Sequence, residues 1–279
     1  MVHERKPTFL QSLTAGGAAG TAVDLLFFPI DTIKTRLQSA QGFTRAGGFS
    51  GIYKGVGSVV VGSAPGAAVF FSTYDTLKKT LPVQGPLNHM ISASVGEVAA
   101  CLVRVPTEVI KTRAQTSSYG ALAQSSWAAA KLVWAHEGIS GFYRGFGITV
   151  MREIPFTSLQ FPLYEFLKYR LALSLTPKRQ HKQLYAHEAA VCGSIAGGVA
   201  AALTTPLDVL KTRVMLDIKN PSTNTSPQNI SLLTRLRLIY TTEGVGALFA
   251  GVVPRTMWIS AGGAVFLGMY ELVVDGFSR

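Results

Sequence analysis

Apolar residues gather in six long runs along the 279-residue chain. They cover roughly residues 9–38, 56–79, 87–115, 145–171, 184–215 and 251–274. At about 1.5 Å per residue, each run folded as a helix is long enough to cross the ~30 Å hydrocarbon core of a bilayer. None is a smooth apolar rod. Glycine, proline or charge interrupts every one, which suits helices that line a watered cavity. Gly16 and Gly20, Gly62 and Gly66, and Gly193 and Gly197 stand at i and i+4, a spacing that lets membrane helices approach closely. Polar links cover 39–51, 176–183 and 220–229. Two shorter amphipathic helices are predicted, Ser125 to His136 with Trp127 and Trp134 as anchors, and Ile230 to Thr242.

Three of the runs end in one pattern, Pro-x-acid-x-x-Lys-Thr-Arg. It reads from Pro29 to Arg36, from Pro106 to Arg113 and from Pro206 to Arg213. A repeat on this scale sets the architecture. The thirds are 8–83, 86–172 and 184–277, each with two long helices. Proline inside such a run removes a donor and kinks the helix. The acid and the Lys stand three residues apart on one face. Three such helices around an axis can pair acid to Lys in a ring. The expected fold is an all-α membrane protein of six transmembrane helices in three pseudo-threefold repeats.

Composition narrows the class. The chain is 48% hydrophobic and 15% charged, against about 25% charged in a soluble domain. The net charge of +11 suits anionic lipid headgroups, and no basic-aromatic reader motif points to nucleic acid. Cys101 and Cys192 lie in apolar runs and read as buried thiols. The histidines are scattered, and no nucleophile–base or metal-ligand cluster is present in the sequence. No enzyme activity, cofactor or metal is therefore expected. Met1 to Thr8 is short and polar, unlike a secretory signal or a transit peptide.

The repeat is also a ruler. Residues common to the thirds serve a shared mechanism, and residues that break the symmetry are candidates for an asymmetric substrate. Five before the motif Pro stand Asp24, Cys101 and Ala201; two before it, Phe27, Arg104 and Thr204; nine before it, Gly20, Glu97 and Gly197. Asp24, Glu97 and Arg104 are thus charges whose sister positions are uncharged. Each costs about 2.5–3.5 kcal/mol at mid-membrane unless wetted or paired. Their offsets of seven or eleven residues from the motif charges keep them on nearly the same helical face. Glu97 and Arg104, seven apart, could alternatively pair with each other. Repeat two alone carries Arg152-Glu153 where the sisters have Gly62-Ser63 and Trp258-Ile259. An Arg fork suits a carboxylate, a neighbouring acid suits an ammonium, and Trp258 offers an aromatic face. Three acids against two bases favour a zwitterion with one extra positive charge. An adenosylated, sulfonium-bearing amino acid has these features. The alternative for Arg152 and Glu153 is a structural pair locked to other helices.

The repeats, with Glu137-Gly138 before Tyr143-Arg144-Gly145, resemble the mitochondrial carrier family over nearly the whole chain. That second half-motif is degraded in repeat one, where Gly47-Gly48 precedes Tyr53-Lys54-Gly55, and in repeat three, where Ala250 replaces the basic residue. A looser matrix-side helix is expected in repeat one. The resemblance implies short amphipathic matrix helices and a matrix gate of three ion pairs, Asp31–Lys111, Glu108–Lys211 and Asp208–Lys34. It also implies Gln braces at Gln38 and Gln115 but none at Met215. A cytosolic gate is implied at Asp75 and Lys78, Glu165 and Lys168, and Glu271, with Val274 where a third Lys would stand. The stretches Val23-Asp24-Leu25, Gly96 to Pro106 and Arg152 to Phe156 are similar to the members of that family that exchange S-adenosylmethionine for S-adenosylhomocysteine. A multi-pass, monomeric protein of the mitochondrial inner membrane is implied, with a small-molecule substrate and membrane lipid, cardiolipin included, as its partners. The competing readings are a carrier of a basic amino acid or nucleotide on the same fold, and a non-transporting membrane receptor or scaffold.

Overall fold

The computed structural model describes residues 9–81, 86–120, 125–175, 186–218 and 231–262, all of them helix, turn or irregular chain. The long helices are α1 (Phe9–Gln38), α2 (Val56–Thr80), α3 (Pro86–Gln115), α6 (Phe146–Leu175), and the consecutive α7 (Ala186–Leu203) and α8 (Thr205–Leu216). Shorter ones are α4 (Ser126–Glu137), α5 (Ile139–Phe142), α9 (Leu232–Glu243) and α10 (Val245–Leu248). A last helix, α11, covers 252–262 up to the end of the described residues. The segments 176–183 and 220–229 lie outside the described residues, as does 263–274 of the sixth run.

Pro29 and Pro106 sit inside unbroken helices. The third counterpart differs from the single helix expected over 184–215. It breaks at Thr204, and α7 and α8 meet at a 62° bend. The physical reason lies just before the proline. Thr204 Oγ1 donates to the Ala200 carbonyl and Thr205 Oγ1 to the Ala201 carbonyl, both at 2.8 Å. Back-bonding threonines bend helices, and Pro206 withholds a donor at the same turn. Repeats one and two have Phe27-Phe28 and Arg104-Val105 there instead.

After α1, residues 39–55 form turns with no helix, whereas α4 and α9 fill the matching links of the other repeats. Ser125 caps α4 by accepting from the Ala128 N–H. Large apolar side chains such as Val61, Ile154, Phe161, Ile195 and Met257 face outward, while Arg36, Arg113 and Arg255 are buried. This inversion of the soluble pattern fits a lipid surround. Among the described residues, α2 is by length and composition the one helix apolar enough to cross a membrane by itself, and α7 with α8 qualify together as one bent span.

Candidate functional site

The three motif copies meet, carried by α1, α3 and α8. Lys111 pairs with Asp31 Oδ2 at 2.8 Å, Lys211 with Glu108 Oε2 at 2.6 Å, and Lys34 with Asp208 Oδ2 at 2.7 Å. Each pair joins two copies, so the three close a ring. Gln115 donates to Asp31 at 3.2 Å and to the Thr32 hydroxyl at 3.0 Å. Gln38 donates to Asp208 at 3.0 Å and accepts from the Thr212 hydroxyl at 2.6 Å. Met215, at the third such position, packs instead with Cys101, Val105 and Val109.

The motif arginines make a second ring, through backbone. Arg36 Nε donates to the Gln115 carbonyl at 2.8 Å, Arg113 Nε to the Met215 carbonyl at 3.1 Å, and Arg213 Nε to the Gln38 carbonyl at 3.3 Å. Their forks then diverge. Arg36 reaches the carbonyls of Gly48, Ser50 and Gly51 in the helix-free link. Arg113 donates to Glu137 at 2.5 Å inside a buried cluster, and Arg144 holds the other oxygen of Glu137 at 2.7 Å. The Tyr119 hydroxyl accepts from Arg113 in that cluster, and burial pushes its phenol pKa up. Arg213 grips the exposed carboxylate of Glu243 with both Nη atoms. Those bonds hold Glu243 below the ordinary carboxylate range.

Of the symmetry-breaking charges, four join in one chain. Arg104 pairs with Glu97 on its own helix, and lies 3.6 Å from Glu108 and 3.6 Å from Glu153 on α6. Arg152 pairs with Glu153 and comes within 3.7 Å of Asp208. The seven-residue spacing of Glu97 and Arg104 therefore produces the intra-helical pair, within a cluster that also spans helices. Asp24 stands apart from this chain, and its Oδ2 accepts from the Ser63 hydroxyl at 2.6 Å. Trp258 is half-buried and joins none of these bonds.

Among the described residues, those at the other helix ends are not brought together across repeats. Lys168 pairs with Glu165 on its own helix at 3.2 Å, and Lys168 and Lys78 lie over the rings of Tyr164 and Tyr74. Asp75 has no ion pair among the described residues. Glu271 lies outside them.

Arg255 lies outside the repeated motif. It is buried on α11, donates to the Thr204 hydroxyl at 2.9 Å, and lies 3.8 Å from Asp208. The ruler contained the signal: Arg255 is the basic member of a position that is Val59 and Thr149 in the sister repeats.

The chain matches the family described as "Mitochondrial carrier protein" over residues 5–46, 41–85, 83–174 and 182–279. It belongs to the mitochondrial carrier family. Over 274 residues this carrier is 50% identical to the "Mitochondrial S-adenosylmethionine carrier protein" of Danio rerio, covering 95% of this chain and 96% of that protein. The protein of the same name in Xenopus laevis is 50% identical over 266 residues, with 94% and 95% covered. The Mus musculus protein is 49% identical over 270 residues, with 95% and 94% covered. Members of the family are transporters.

Proposed function

We propose that this carrier exchanges S-adenosylmethionine for S-adenosylhomocysteine across the mitochondrial inner membrane by alternating access. One observation carries the reading: about half of the residues are identical, over nearly the full length, to carriers named for S-adenosylmethionine. The charge cluster supports it. S-adenosylmethionine brings a carboxylate, an ammonium and a sulfonium. Its carboxylate suits the Arg152 fork, its cations suit Glu97, Glu153 and Asp24, and its purine suits the face of Trp258. Glu97, Arg104, Arg152 and Glu153 each have a partner within the protein. The substrate's own charges replace those partners, so binding exchanges ion pairs and leaves no buried charge uncompensated.

In this reading the chain crosses the membrane six times, in the repeats 8–83, 86–172 and 184–277. Asp31–Lys111, Glu108–Lys211 and Asp208–Lys34, braced by Gln38 and Gln115, are the matrix gate, made in this structure. Asp75, Lys78, Glu165, Lys168 and Glu271 form the cytosolic gate, which closes as the matrix gate opens. Substrate bound between them lowers the cost of passing from one closed ring to the other. The carrier works as a monomer among anionic lipids, cardiolipin included.

The test is exchange in liposomes that contain the purified carrier and are loaded with S-adenosylhomocysteine. Uptake of labelled S-adenosylmethionine that depends on the internal load supports the reading. Absence of that uptake, with exchange of arginine or ATP instead, sinks it.

A further inference from the structure

Three cations converge on one gate carboxylate, and each comes from a different repeat. Asp208 lies 2.7 Å from Lys34 of repeat one, 3.7 Å from Arg152 of repeat two and 3.8 Å from Arg255 of repeat three. The other two acids of the ring are served differently. Glu108 meets Lys211 and Arg104, and Asp31 meets Lys111. Asp208 is also the most enclosed of the three, with its side chain 5% exposed against 26% for Glu108 and 23% for Asp31.

The three cations are not equivalent. Lys34 arrives on α1 and must part from Asp208 if the ring opens. Arg152 is shared with Glu153 in the candidate substrate site. Arg255 has neither obligation. It is 2% exposed, its Nη2 is fixed on the Thr204 hydroxyl, and its Nη1, 3.8 Å from Asp208, makes no hydrogen bond among the described residues. Thr204 is the break between α7 and α8, and Asp208 sits on the first turn of α8 beyond it. The guanidinium therefore spans the hinge and the carboxylate that the hinge carries. Arg suits this task because its fork can address two partners at fixed geometry, which a Lys ammonium cannot.

We infer that Arg255 is a positioning residue of the gate: it ties the α7–α8 break to Asp208 and keeps a counter-ion on that carboxylate when Lys34 departs. A buried carboxylate stripped of cations is strongly disfavoured. With Arg255 in place, Asp208 can lose Lys34 and recover it, so the ring opens and recloses. Arg255 sets the rate of that cycle and does not touch substrate. This rests on the reading of Asp208–Lys34 as a gate pair.

The experiment is a double-mutant cycle on exchange in liposomes, with labelled S-adenosylmethionine outside and S-adenosylhomocysteine inside. Arg255→Gln is expected to lower the maximal rate about tenfold, within the range of couplings between contacting residues, and to leave KM within about twofold. Arg255→Lys should recover part of the rate, because the charge remains. In an Asp208→Asn background, Arg255→Gln should cost little more. Full additivity there, or a rise in KM with no loss of maximal rate, overturns the inference. If Arg255→Gln does not reconstitute, Arg255→Lys carries the same cycle with a smaller expected loss. If Asp208→Asn alone leaves exchange unchanged, it is the gate reading that fails.

Discussion

The three motif copies lie on α1, α3 and α8 and the Glu97–Arg104–Glu153–Arg152 cluster on α3 and α6, close to one another through Glu108 and Asp208, yet they are built by opposite rules. In the ring, each charge recurs in every repeat, and every acid–Lys pair joins two copies at 2.6–2.8 Å. In the cluster no charge has a charged sister, and two of the pairs lie within a single helix. A ring of equivalent pairs can hold three helices together without knowing what passes between them. A cluster that breaks the symmetry can orient one asymmetric molecule. The comparison teaches that pairing matters in the first case and identity in the second.

The sharpest way to break that contrast is at Arg152. Arg152→Ala is expected to abolish measurable exchange, a loss of at least about 100-fold for a buried Arg that serves two carboxylates. The protein should still reconstitute with an unchanged helical signal in circular dichroism. Exchange near the wild-type rate would remove Arg152 from the site.

Charge swaps come next. Lys111→Asp alone should reduce the maximal rate about tenfold, and adding Asp31→Lys should restore most of it, because the pair is remade. The parallel swap, Glu97→Arg with Arg104→Glu, should restore nothing. Recovery in both swaps, or in neither, would erase the distinction between ring and cluster.

The braces provide a smaller test. Gln115→Met removes hydrogen bonds to Asp31 and Thr32, and should cost about 1 kcal/mol in thermal unfolding in detergent. Met215→Gln should not gain that amount, because its amide would enter the apolar cluster of Cys101, Val105 and Val109. A more stable Met215→Gln protein would show that the third brace is merely missing, with nothing in its place.

The smallest effect is expected at Glu243. Its carboxyl is held below its unfolded pKa by hydrogen bonds from Arg213, so its contribution is present above that unfolded value and lost as pH falls through the lower folded one. The group is substantially solvent-exposed, which screens the pair. Glu243→Gln should therefore lower stability by less than about 1 kcal/mol at pH 7. The difference from wild type should close as pH drops below about 4. A gap that persists at low pH would assign the effect to packing.

Much of the helical layout was legible because the motif fixes phase and the apolar runs fix length. Phe9–Gln38 follows directly from its run, whereas the looser matrix-side helix expected in repeat one is no helix at all: with Gly47-Gly48 standing where Glu-Gly begins the half-motif, residues 39–55 form turns. The α7–α8 break was not read, since Pro206 has the same motif context as Pro29 and Pro106. The difference is made by the Thr204 and Thr205 hydroxyls and by an Arg from a distant helix. The candidate charges were legible as departures from symmetry, and the pairing of Glu97 with Arg104 as one of two readings, but their joining to Glu153 was not. Spacing along one helix allows Glu97 and Arg104 to pair, whereas the approach of Glu153 depends on how α6 packs. Arg255 lay in plain view in the same ruler, outside any motif that would draw attention to it.

The backbone ring made by Arg36, Arg113 and Arg213 bears on how such a chain can evolve. Each acceptor is a carbonyl, supplied by Gln115, Met215 and Gln38 alike. A carbonyl belongs to every residue type, so no substitution at these three positions deletes the acceptor. The side chains there are free to drift while the repeats remain joined. Met215 illustrates that freedom: its side chain packs with Cys101, Val105 and Val109 where the other two positions hold a Gln brace, and Arg113 still reaches its carbonyl. Three motif copies stitched in this way can accumulate asymmetry, and with it a preference for one substrate, without first coming apart.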